Sequence, residues 1–270
     1  MAALTTEELL KQQLSDISEQ QAKQTKPIEL SKAAGIRYNA ELKKMVNKVR
    51  ADIESILVPK IKMLEHEYVA DSSWWDVIGA AIKLLKEKYS GDAFAQWAAR
   101  TSESFVSSVN YRNQQQFSGF GIDVFGQSAT VTEYLQASAF DNARLIKSIP
   151  EQYLKQVESL VMANMRAGLR PSAINKQLQN QFGVTQRRAK MIARDQTSKV
   201  SNSLARKRMI SAGIKFWKWS TSKDSRVRDE HSKFANRVTK QGLLDNPYLS
   251  TMSDADDAWA DGADYFGSEG

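Results

Sequence analysis

Two histidines and no cysteine leave few places for bond-making chemistry in this 270-residue chain. His231 is the better placed of the two, at the end of a polar run that holds Asp224, Arg226, Arg228, Asp229 and Glu230. A histidine beside acids can act as a general base. No second histidine, cysteine or glycine-flanked serine accompanies it, and a metal site of the usual kind needs more ligands at regular spacing. The residue types therefore favour a structural turn, in which Asp224 pairs with an arginine and His231 bonds back to the preceding strand. His66 lies between Glu65 and Glu67 and reads as a surface residue. No Gly-rich phosphate loop or nucleophile elbow is present. The expectation is a protein that is not an enzyme, with no catalytic residue, metal or cofactor.

Cations form the second constellation. Residues 166–240 carry 19 Lys and Arg against 4 Asp and Glu, whereas residues 241–270 carry none against 7 acids. The net charge of +7 therefore comes from one block, with an acidic tail behind it. Such a block marks a face held near phosphates or an acidic partner, or else an ordinary solvated helical face. Arg187, Arg188, Lys190, Arg194, Arg206, Lys207 and Arg208 are the candidate contacts to nucleic acid or an acidic surface. A helix, an FGVT turn and the basic QRRAKMIAR together resemble a helix-turn-helix. A free nucleic-acid-binding protein using residues 171–212 is thus the alternative function. The second helix runs about four turns past a usual reading helix, which disfavours base-specific reading and leaves nonspecific phosphate contact open.

The elements that position these residues follow from spacing. Pro171 suits the first position of a short helix, which Gly183 should end. A longer helix is expected from about Thr185 to Ala212, with Ala189, Ile192, Ala193, Val200 and Leu204 near one apolar stripe. IKFWKWST then reads as a strand whose two faces are both apolar, Trp217 with Trp219 and Ile214 with Phe216. Core packing is favoured there over a stacking platform for single-stranded nucleic acid. Upstream, helical spacing runs from Tyr38 to about His66, and Pro59 should kink or split it. Further helices are expected over Ser73–Tyr89, from Asp92 toward Gln116, over Val131–Ser148 and over Pro150–Ala167. FSGFGIDVFG reads as a loop or short strand.

The fold class expected is mainly α with a small β element (α+β), a helical domain closed by a short sheet near residues 214–240. The divisions are an arm at 1–27, a helical partner-binding region at 28–130, a third unit at 131–240 and an acidic flexible tail at 241–270. No apolar run approaches the roughly 20 residues of a membrane span. The start, MAALTTEELLKQQLSDI, is polar and acidic, unlike a secretory signal. The tail's acids and spaced aromatics suit docking on a basic surface, either the chain's own block or a partner subunit.

NARLIKSIPEQYLKQVESLVMANMRAGLRPSAINKQLQNQFG and RAKMIARDQTSKVSNSLARKRMISAGIKFWKWSTSKDSRVRDEH together resemble the head-morphogenesis domain of the phage Mu F-like minor head proteins. The carrying positions are Gly168, Ile192, Ala193, Arg194, Gly213, Trp219, Asp224, Arg226, Val227, Arg228 and His231. The resemblance covers roughly residues 140–238. Many members carry cysteines of metal-binding type in and after the turn; this chain reads KFANRV there, so no zinc carries over. The resemblance implies a minor capsid protein of a tailed bacteriophage, residing at the portal vertex or head interior and present in several copies. Its implied partners are the portal protein, the major capsid protein and, nonspecifically, packaged DNA, with roles in head assembly and in DNA packaging or ejection.

Overall fold

The computed structural model describes residues 28–66, 73–122, 129–167, 171–212, 216–218 and 238–240. Helix α1 (Lys32–Asp52) passes through one π-helical turn (Ile53–Leu57) into α2 (Val58–His66). Helices α3 (Ser73–Ser90), α4 (Asp92–Gly119), α5 (Ala129–Arg166) and α6 (Pro171–Ser211) follow. Helices α1, α4, α5 and α6 pack against one another as a four-helix core, and α3 covers α5 and the π turn.

The α+β expectation is corrected: the fold is all-α. Strands β1 (Phe216–Lys218) and β2 (Val238–Lys240) pair antiparallel, Trp217 opposite Thr239. This is a lone ladder of three residues a side, among described residues that are otherwise helical. Alternating aromatics gave IKFWKWST a strand pattern, but among the described residues too little β structure forms to make a layer that closes a domain.

Two breaks expected from glycine and proline are not breaks. Helix α6 runs 41 residues straight through Gly183, and α5 runs 38 residues through Pro150. A glycine costs a helix roughly 1 kcal/mol, an amount that packing readily outweighs. The Phe182 ring lies 4.5 Å under the Arg50 guanidinium, and the Thr185 hydroxyl donates to the Gln181 carbonyl at 3.0 Å, so both flanks of Gly183 are tied. Pro150 is buried among Ile146, Ile149, Tyr153 and Leu154, whose burial holds the turn despite its missing N–H. FSGFG, expected as loop or strand, supplies the last three helical residues of α4 (117–119) and the turn that closes it. That helix ends where Ile122 N–H bonds to the Phe117 carbonyl at 3.1 Å, with Gly121 in the left-handed region at φ 76°.

Pro59 does leave a mark. Its ring excludes the ordinary hydrogen bond to the fourth residue back, and the wide turn immediately before it takes up the conflict. Val49, Ile53, Leu57 and Ile61 are all buried at four-residue spacing. In a pure α-helix that spacing drifts around the axis, and the wide turn holds it in phase.

Candidate interaction site

The seven basic residues expected as one contact surface divide by burial. Helix α6 shows solvent one face in its first half, and that face holds Arg187, Lys190 and Arg194, all exposed. None of the three has a hydrogen-bond or ion-pair partner among the described residues. Past Thr197 the helix is enclosed on nearly every side, with Ser198, Ser201, Asn202, Leu204, Ala205, Arg208 and Met209 buried. Arg206 is half-buried and engaged, and the Lys207 ammonium sits 5.2 Å over the Tyr134 ring.

Arg208 is a correction to the expected surface. It is 3% exposed, and its guanidinium donates to Asn113 Oδ1 and, at 2.5 Å, to Asn110 Oδ1 of α4. Burial pulls it down to about 10, against an ordinary value of 12.5. It joins α6 to α4 and cannot reach an external phosphate. Arg188 is also partly inward: one amino group donates to Ser148 Oγ at 3.3 Å, while its buried Nε has no partner among the described atoms. The helix-turn-helix expectation fails with its turn, because FGVT is helical and both would-be helices are one rod.

A groove of about 660 Å³ lies between α5 and α6, lined by Asp141, Arg144, Lys147, Glu151, Gln196 and Lys199 with smaller neighbours. Its charged lining is mixed in sign, Arg144, Lys147 and Lys199 against Asp141 and Glu151. No group of three His, Asp or Glu among the described residues is placed to hold a metal. Two of its lining residues join a polar layer beneath: Tyr38 of α1 donates to Asn142 Oδ1 of α5 at 3.2 Å, and Asn142 donates to Gln196 Oε1 of α6 at 3.4 Å. The Tyr38 ring stacks on Phe105 of α4 at 4.1 Å, so one polar layer draws on all four core helices. Burial raises the Tyr38 phenol well above its ordinary range.

Two further rungs lie along the α5–α6 pair. Asn164 and Gln177 exchange reciprocal amide bonds of 2.9 and 3.1 Å, and Gln181 donates to Gln156. On the other side of α1, burial opposes the charge on Asp52. Hydrogen bonds from Lys88 (2.8 Å) and Tyr89 (2.5 Å), with attraction to Lys88 and Lys48, outweigh it and hold the carboxyl below its ordinary value. These polar layers went unseen in the sequence because asparagine, glutamine and arginine read as surface residues. Their helical spacing with the apolar stripe was the available signal.

Residues 155–255 match the family described as Phage Mu protein F like protein. The chain carries a Mu F-like segment. An uncharacterized protein of Haemophilus influenzae (strain ATCC 51907 / DSM 11121 / KW20 / Rd) is 32% identical over 221 residues, covering 78% of this chain and 49% of that protein. The chain thus spans about half the length of this curated relative. No solved structure matches it.

The Mu F-like segment starts late in α5, takes in all of α6 and both short strands, and runs on into the acidic stretch. Of the positions that carry the resemblance, Ile192 and Ala193 are buried in the core and Arg194 points outward. Gly168, Gly213, Trp219 and the turn of Asp224, Arg226, Val227, Arg228 and His231 lie outside the described residues, as do the arm at 1–27 and the tail. No described helix is long and apolar enough to cross a membrane.

Proposed function

We propose that this chain is a structural head-morphogenesis protein of a tailed bacteriophage, associated with the portal or major capsid protein and retained in the virion. The observation that carries the reading is the Mu F-like match over residues 155–255. An interlocked all-α bundle with charged outer faces suits a part that holds position in a larger particle. Asp224, Arg226, Arg228 and His231 brace the turn after α6 and have no catalytic role in this reading. The test is made on purified heads. The polypeptide should be found in them at a few copies each, and deleting its gene should lower the yield of filled heads. Fully infectious particles that never contained the polypeptide refute the proposal.

Within that role, nonspecific DNA contact is supported by the exposed trio Arg187, Lys190 and Arg194, which face solvent without an acidic partner among the described residues. Replacing all three by alanine should flatten the dependence of log affinity on log salt by about three, roughly one for each phosphate no longer neutralised. Binding should weaken equally on unrelated duplex sequences. A strong preference for one duplex over its scrambled counterpart would count against this role.

A further inference from the structure

The exposed row of α6 is more than a string of cations. Val184 and Met191 are 45% and 60% exposed, and they share that face with Arg187 and Arg194 at helical spacing, with Lys190 at its edge. Phosphates gain nothing from apolar side chains. A segment that offers carboxylates and aromatic rings together gains from both, since guanidinium groups pair with carboxylates and stack on ring faces. Residues 241–270 have this character: seven acids, no Lys or Arg, and Tyr248, Trp259, Tyr265 and Phe266 spaced among them.

We propose that the acidic stretch around Asp254–Asp261 docks on the α6 row of Arg187, Lys190, Met191 and Arg194 and shields it from nucleic acid. Charge complementarity selects this occupant, because the row lacks carboxylate partners among the described residues and the tail lacks cations. Asp195, the one acid within α6, accepts a hydrogen bond from Gln196 at 3.1 Å. Reach is ample. The row lies about 25–40 Å back from the end of α6 at 1.5 Å per residue, and the roughly 40 residues between Ser211 and Asp254 exceed that span several times over when extended. Tethering keeps the local concentration of the tail near millimolar, so individually weak surface pairs suffice to fill the row. Displacement then requires a polyanion of higher charge density, such as a nucleic acid. The inference does not depend on the head-protein reading.

The test uses the full chain, as an equal mixture of light and heavy isotope-labelled protein treated with a zero-length carbodiimide cross-linker. Lys190 should join Asp254, Asp256 or Asp257 within single chains, and the products should vanish near 0.5 M salt, where screening is nearly complete at about 4 Å. Mixed light–heavy cross-links as abundant as same-label ones would assign the row to a second copy and overturn the proposal, as would no product at all. Shielding is read separately by titrating duplex DNA. Full-length chain carrying Asp254→Asn, Asp256→Asn and Asp257→Asn should bind about tenfold more tightly at low salt, an advantage that Arg187→Ala, Lys190→Ala and Arg194→Ala together remove. Equal affinity of the neutralised and unaltered chains refutes shielding even if the cross-link forms.

Discussion

Replacing Arg208 by methionine separates a buried tie from a surface contact. The side chain is 3% exposed and satisfies the side-chain carbonyls of Asn110 and Asn113 together. Methionine keeps most of the volume but leaves a buried acceptor on Asn113 and a half-buried one on Asn110 unpaired, each costing up to about 1–3 kcal/mol. Removing the cation's own burial penalty, visible in its fall to about 10, offsets part of that loss. A net loss of about 2–4 kcal/mol results, roughly 5–15 °C in melting temperature for a domain of this size. The assay is urea unfolding followed by circular dichroism, with the slope checked to be unchanged. A triple variant that also carries Asn110→Leu and Asn113→Leu should recover much of the loss, because no polar group then lacks a partner. A single variant within about 0.5 kcal/mol of the parent chain, with DNA affinity reduced instead, would refute the buried-tie reasoning and restore Arg208 to the contact surface.

Gly35 lets α1 lie close against α6: an added Cβ would lie 2.8 Å from Thr197 Oγ1 and 3.1 Å from Cγ2. Gly35→Ala should cost about 1–3 kcal/mol in chemical unfolding, and adding Thr197→Ala should relieve most of it. Asp52→Asn should lower stability by about 1 kcal/mol at neutral pH, and the difference should shrink as pH falls. The sign follows from the depressed carboxyl, whose contribution is complete above its ordinary value of 3.8 and lost as pH drops through the lower folded one. Tyr153 is pushed up to about 12, first by burial, with Arg50 and Glu54 pulling in opposite directions. Ultraviolet titration of a Tyr153→Phe difference should place its midpoint there; a midpoint near 10 would show the ring to be wet.

The helices were legible wherever one apolar stripe decides the matter. Ser73–Ser90 and Asp92–Gly119 lie where spacing puts them, and Ala189, Ile192, Ala193, Val200 and Leu204 are all buried as the stripe on α6 requires. The failures share one cause. Gly183 and Pro150 punctuate an isolated chain, but in α6 and α5 burial of the flanking turns exceeds their local cost, a comparison that needs the partner helix. The seven candidate cations could not be sorted by type alone. Only the loss of a solvent face beyond Thr197 turns Arg208 inward while Arg187, Lys190 and Arg194 stay out.

The antiparallel α5–α6 pair has a consequence for how similar chains can vary. Asn142 with Gln196, Ser148 with Arg188, Gln156 with Gln181 and Asn164 with Gln177 are matched one to one along its length. Slippage by a single turn, about 5.4 Å, would unmatch all of them together. Insertions or deletions inside either rod should therefore be rare among relatives unless mirrored in the other. Length changes should gather instead in the short connection at 167–170, which lies outside the matched rungs.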